Sequence, residues 1–158
     1  MDLILWRHAE AGDHLDDPVA DLERPLSPKG ERQARRVADW LNQFLPDSAR
    51  ILSSPALRCQ QTVAPLGRRV KKSAALAPDG DVEGLLAATR WPDSREAVVV
   101  VGHQPTLGRV AAYLVAGDAA RFGDPWAIKK GSVWWLRHRP REGRAEVQII
   151  AVRTAEGL

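Results

Sequence analysis

Ala97-Val98-Val99-Val100-Val101-Gly102-His103-Gln104-Pro105 decides the fold: an uncharged, β-branched run that passes straight into a glycine, a histidine and a proline. β-Branched side chains are restricted in a helix and pack well on a pleated strand. A continuous apolar run, unlike an alternating one, describes a strand covered on both faces. Leu3-Ile4-Leu5-Trp6 repeats the pattern and ends on Arg7-His8. A third strand is expected at Arg50-Ile51-Leu52-Ser53, followed by Ser54-Pro55, a capping residue and proline that announce a helix carrying Arg58.

Helices are expected between these strands. Ser27 caps one with Pro28 in its first turn, and Ala34, Val37, Ala38, Leu41 and Leu45 recur along it at helical spacing until Pro46. Pro65 and Gly67 close the element with Arg58, and Pro105 opens a helix that ends near Gly117. Val82, Leu85, Leu86 and Thr89 mark a shorter helix, begun by Asp79 or Asp81 and ended before Pro92. Ser132 to Arg137 and Glu146 to Val152 form a hairpin across Arg139-Pro140-Arg141-Glu142-Gly143. Strands alternating with helices give an α/β fold around a mostly parallel sheet.

A chain of 158 residues, 44% apolar and 27% charged, has the size and balance of one globular domain spanning 1–158. The apolar run before Arg7 is too short for a signal peptide or membrane span, so a cytoplasmic protein with no membrane association is expected. The single cysteine, Cys59, excludes an internal disulfide and is expected to be a small buried hydrophobe. The net charge of +3 is unevenly placed: Glu10, Asp13, Asp16, Asp17, Asp21 and Glu23 fall early, and basic residues gather at 29–36, 68–72 and 129–144. The scattered tryptophans read as core fillers, so no nucleic-acid partner is expected.

Two buried strands deliver a histidine at their carboxyl ends, the edge where open α/β sheets bind ligands. His8 and His103 are therefore expected to meet, with Arg7 beside them and Arg58 reaching the same edge from the first turn of its helix. Singly, each is explained by a satisfied core histidine or a surface ion pair; three separate elements in agreement point to a site. Two guanidinium groups and two imidazoles at one edge repel unless an anion joins them, and planar guanidinium matches phosphate oxygens bidentately. The helix starts after Ser54-Pro55 and Gln104-Pro105 add partial positive charge. The pocket is predicted to hold phosphate.

Leu5-Trp6-Arg7-His8-Ala9-Glu10-Ala11, Arg24-Pro25-Leu26-Ser27 with Gly30, Gln33 and Ala34, Ser53-Ser54-Pro55 through Arg58, Gln61-Thr62, and Val101-Gly102-His103-Gln104-Pro105 together resemble the histidine phosphatase (phosphoglycerate mutase-like) superfamily, in its small phosphohistidine phosphatase (SixA-like) branch. Ala9, where the larger family usually has glycine, is the form typical of that branch. The resemblance implies a three-layer α/β/α fold, His8 as nucleophile, Arg7 and Arg58 as phosphate ligands, and His103 as the second histidine of the pocket. It also implies a metal-independent phosphatase without a cofactor. Its substrate would be a phosphotransfer or carrier protein bearing phosphohistidine, or a small phosphorylated molecule. The glutamate pattern of the family's general acid is not found; Asp81 and Glu83 read as helix-start residues.

Neutral His8 would attack phosphorus and form a phosphohistidine that water hydrolyses. Cationic neighbours would depress its pKa, its other ring nitrogen would need a fixed acceptor, and a protonated His103 would add a donor. Other chemistries fit less well. A cysteine phosphatase needs an arginine where Pro65 stands relative to Cys59, and no apolar strand precedes Asp79-Gly80-Asp81 to make an aspartate nucleophile. His8, Asp13, His14 and His103 could be combined as metal ligands, although His14 and His138 read as solvated surface residues. A mutase needs lid segments for which this chain has little length. A binding module that recognises phosphate without turnover is the alternative from another class.

Overall fold

The computed structural model describes residues 1–158. In chain order the elements are β1 (Asp2–Arg7), α1 (Pro18–Leu22), α2 (Pro28–Phe44), β2 (Arg50–Ser53), α3 (Leu57–Val63), β3 (Lys71–Lys72), α4 (Val82–Thr89), β4 (Val98–Gly102), α5 (Thr106–Ala116), β5 (Val133–Arg141) and β6 (Arg144–Arg153). They build one six-stranded mixed sheet of order β3-β2-β4-β1-β5-β6. β3, β2, β4 and β1 run parallel, β5 is antiparallel to β1, and β6 is antiparallel to β5.

Both faces of the sheet are covered. Ile4 and Trp6 of β1 and Val99 and Val101 of β4 pack with Val37, Ala38 and Leu41 of α2 and Cys59 and Val63 of α3. The alternate residues, Leu3, Leu5, Val98 and Val100, pack with Leu85 of α4 and with Leu107, Val110 and Ala111 of α5. Successive strand side chains point to opposite faces, so a strand between two helical layers must be apolar at every position. This gives the three layers, α/β/α, that the resemblance implied, with β1 and β4 covered on both faces as their uninterrupted runs predicted.

Local signals set the helix starts. The side chains of Asp17, Ser27 and Asp81 accept from the backbone N–H of Val19, Gly30 and Gly84, capping α1, α2 and α4, with proline in the first turn of α1 and α2. Gly67 ends the turn after α3 in the left-handed region (φ 66°), where glycine carries no Cβ penalty. No helix is long and apolar enough to cross a membrane.

Three expectations need correction. Ser54 does not cap α3, which begins only at Leu57 with Ala56 before it; the Ser54 hydroxyl is engaged elsewhere, as described below. The hairpin is longer than the patterning suggested, because β5 continues through Arg141 and the turn is only Glu142-Gly143, both with positive φ (50° and 77°). Helix α1 and the two-residue strand β3 were not anticipated, one lying in an acidic loop and the other made of two exposed lysines.

Candidate active site

β2, β4 and β1 are neighbours in the sheet, so their carboxyl ends open onto one cleft. Ser53 pairs with Val101 and Arg7 with Gly102, which places Ser54, His103 and His8 one step beyond the last paired residues. The His8 backbone N–H donates to the Gly102 carbonyl (3.1 Å) and that of Ser54 to the Val101 carbonyl (2.9 Å), so the strand ends are tied together where the side chains emerge. The cleft has a volume of about 390 Å³, and apart from Pro78 and Gly12 its lining is polar. Arg7, His8, Arg58 and His103, the four residues singled out in the sequence, all line it.

His8 is buried, with its ring 5.3 Å from that of His103. Its Nδ1 lies 2.8 Å from the carbonyl oxygen of Ala9. A carbonyl only accepts, so Nδ1 carries the proton and Nε2 keeps its lone pair. The Ala9 peptide is itself fixed, since its N–H donates to Thr62 Oγ1 (2.9 Å) and the Thr62 hydroxyl donates to the Arg58 carbonyl (2.7 Å) in α3. Gly30 brings α2 against the same loop: a Cβ there would overlap the Glu10 carbonyl oxygen. Burial pushes the His8 pKa down to about 4; the bond to Ala9 opposes this, and Arg58, Arg7 and Arg24 add to it. Desolvation thus exceeds the cationic neighbours that the sequence pointed to.

His103 sits deeper in the wall. Arg58 Nη2 approaches its Nδ1 (3.4 Å) and its Nε2 faces Ser54 Oγ (2.8 Å) and Cys59 Sγ (3.5 Å). Guanidinium only donates, so Nδ1 is the acceptor and Nε2–H donates to Ser54. Burial first, then the Arg58 charge, lowers its pKa to about 3. The added donor that a protonated His103 would supply is therefore absent: in this arrangement the ring is neutral and its one proton is committed to Ser54. Cys59 is fully buried and its thiol is pushed up to about 12 by burial, in keeping with a core residue.

Arg7 gives one Nη1 bond to the Ile128 carbonyl (2.8 Å), and its buried Nε has no acceptor. Arg58 is aimed by Asp21: Nη1 donates to the Asp21 carbonyl (2.8 Å) and Nη2 lies 3.3 Å from its Oδ2. Asp21 is buried yet ionised, because the Leu15 N–H (3.0 Å), Arg24 Nε (3.0 Å) and Arg58 outweigh the upward push of burial on its pKa. Arg24 also donates to the carbonyls of Ala11 (2.7 Å) and Gly12 (3.1 Å), bracing the loop after His8. Four cations, Arg7, Arg24, Arg58 and Lys130, therefore face one carboxylate across the cleft. Such an excess is relieved by an anion with several acceptor oxygens.

Asp21, Arg24 and His14 were not read as site residues. His14 is largely solvated, as expected, but its Nδ1 lies 3.3 Å from Asp21 Oδ1 and it lines the cleft. The available signal was Asp17-Pro18, a cap and proline pair that starts α1 and folds Asp21 inward. Asp13 and His14 do not join His8 and His103 as metal ligands; no group of three or more His, Cys, Asp or Glu side chains is arranged to hold an ion. Asp81 and Glu83 are helix-start residues: Asp81 caps α4 and Glu83 pairs with Arg121.

The two histidines give a checkable pH dependence. Both have folded pKa values, about 4 and about 3, below the ordinary 6.5, so the unfolded chain binds more protons between those limits. Stability then falls as pH drops through 6.5 toward 4 and is unaffected by these groups above it. Denaturant midpoints measured from pH 8 to 5 are expected to be flat and then decline, and His103→Gln is expected to flatten the decline.

Residues 3–81 match the family described as Histidine phosphatase superfamily (branch 1). An uncharacterised protein of Picosynechococcus sp. is 36% identical over 155 residues, covering 94% of this chain and 89% of that protein. Phosphohistidine phosphatase SixA of Escherichia coli (strain K12) is 33% identical over 127 residues, covering 75% of this chain and 76% of SixA. The fold is shared with the solved structure of the protein histidine phosphatase SixA complexed with tungstate (TM-score 0.74, 23% identity, 99% of each chain). Sequence and architecture thus agree across the elements that position His8 and Arg58, and the chain belongs to the histidine phosphatase superfamily, in its SixA-like branch.

Proposed function

We propose that this phosphatase hydrolyses phosphohistidine on a protein through a covalent phospho-His8 intermediate, without a metal ion. The observation that carries the proposal is the tautomer of His8. Its Nδ1 is pinned to the Ala9 carbonyl, so Nε2 is the free nucleophile, and burial keeps it unprotonated at neutral pH. Nε2 attacks phosphorus as the leaving imidazole departs; Arg7 and Arg58, with Arg24 and Lys130 nearby, stabilise charge on the equatorial oxygens. Water then hydrolyses the phosphoenzyme and returns His8 in the same tautomer.

Two observations support a protein substrate. The related Escherichia coli protein is named for phosphohistidine. The cleft has almost no apolar lining with which to hold the body of a small metabolite, so it grips the phosphoryl group itself. Phosphate release from a phosphohistidine-bearing phosphotransfer protein, measured in excess chelator, is the test. Rapid release that chelator leaves unchanged is expected. Release that stops with chelator and returns with a divalent ion overturns the metal-free mechanism; saturable binding without release overturns catalysis on that substrate.

A further inference from the structure

A phosphohistidine protonated on its remote nitrogen leaves as neutral imidazole and needs no further proton, whereas an alkoxide or phenoxide does. The cleft contains a group fit to supply one. We propose that His14, held by the buried carboxylate of Asp21, is the proton donor for oxygen leaving groups, so that the same site also hydrolyses phosphomonoesters. The proposal rests on His8 being the nucleophile.

The other charged and titratable groups facing the cleft are unsuited to the task. Arg7 at the end of β1, Arg24 after α1 and Arg58 in α3 do not release protons near neutral pH. Asp21 of α1 is ionised and its oxygens are taken by Leu15 N–H, Arg24, Arg58 and His14. His8 spends its proton on Ala9, and His103 after β4 spends its own on Ser54. Lys130, before β5, is a weaker acid than an imidazolium. His14 remains. Its side chain is 74% exposed while its Nδ1 sits 3.3 Å from a carboxylate only 5% exposed. The fixed buried carboxylate beside Nδ1 leaves Nε2 without a protein partner, free to meet a substrate in the cleft.

The steps balance. As the bond from His8 Nε2 to phosphorus forms, the bond from phosphorus to the bridging oxygen breaks, and that oxygen takes the proton from His14 Nε2. Neutral His14 then receives a proton from the water that attacks phosphohistidine as the P–N bond breaks. His8 leaves neutral, with Nδ1–H still on Ala9.

The test compares wild type with His14→Gln and His14→Ala on para-nitrophenyl phosphate, phenyl phosphate and a phosphohistidine protein. kcat/KM is read because it reports the first chemical step. Both variants are expected to lose on the order of 100-fold on phenyl phosphate, whose leaving group is poor, the lower range for a general acid. They are expected to lose far less on para-nitrophenyl phosphate and phosphohistidine than on phenyl phosphate, so the dependence on leaving-group basicity steepens. An equal loss on all three substrates, or none on any, overturns the proposal, as does a wild type active on phosphohistidine alone. Turnover surviving in His8→Ala overturns the nucleophile reading instead, so the two failures are distinguishable.

Discussion

Alanine in place of His8 is expected to abolish phosphate release, with a loss on the order of 10⁶-fold, the scale seen when an activated nucleophile is removed. Neither His103 nor Cys59 can replace it. His103 Nδ1 is occupied by Arg58 and its Nε2 is protonated toward Ser54; Cys59 lies beneath the histidines, fully buried, with its thiol raised to about 12. The measurement is acid-quenched trapping of protein-bound phosphate. Wild type is expected to carry a phosphoryl group that is stable to base and lost in acid, as a P–N bond is, and His8→Ala to carry none. Because the ring makes one hydrogen bond, to Ala9, its removal leaves the strand pairing of β1 intact, and the variant's thermal midpoint serves as the control. A labelled His8→Ala protein would place the nucleophile elsewhere.

The parts of this protein that were legible in the sequence are those in which one short stretch carries both the local structure and its purpose. Val98 to Val101 and Leu3 to Trp6 are apolar at every position because helices cover both faces, and each run stops where a histidine must line the cleft. Proximity of His8 and His103 then follows from parallel pairing of β1 with β4. What escaped were partners set by long-range packing. Asp21 looks like one of several acids in a polar loop until α1 turns it under Arg58, thirty-seven positions away in the chain. Ser54 has the chemistry of a helix cap, but α3 begins only at Leu57, and the Ser54 hydroxyl oxygen accepts from the Ala56 N–H and from His103 Nε2–H. The acceptor for His8 is the adjacent backbone carbonyl, invisible to any pattern of side chains. The charge state of His103 could not be read either, because it depends on burial and on which atom of Arg58 faces it.

Arg58→Ala is expected to cost about 2–4 kcal/mol in kcat/KM, on the scale of a lost oxyanion donor, which is on the order of 30- to 1,000-fold. Arg58 is 3% exposed and its guanidinium is held on two sides by Asp21, so it is aimed before substrate arrives and charge developing on phosphoryl oxygens needs no rearrangement to be met. The substitution also removes a partner from a buried carboxylate. Asp21 keeps Arg24 and the Leu15 N–H, so the accompanying loss of stability is expected to be about 2 kcal/mol, within reach of a hydrogen bond to a charged group, and the fold survives. Rates are therefore compared well below the variant's unfolding midpoint. Arg58→Lys separates charge from geometry: an ammonium restores the positive charge but cannot hold Asp21 and phosphate with one planar fork. It is expected to recover most of the stability and only part of the rate. A folded Arg58→Ala protein with near-normal kcat/KM would remove Arg58 from the phosphate site and leave Arg7, with Arg24, to carry the charge. A lysine variant as fast as wild type would show instead that charge alone suffices and that the Asp21 clamp serves the fold.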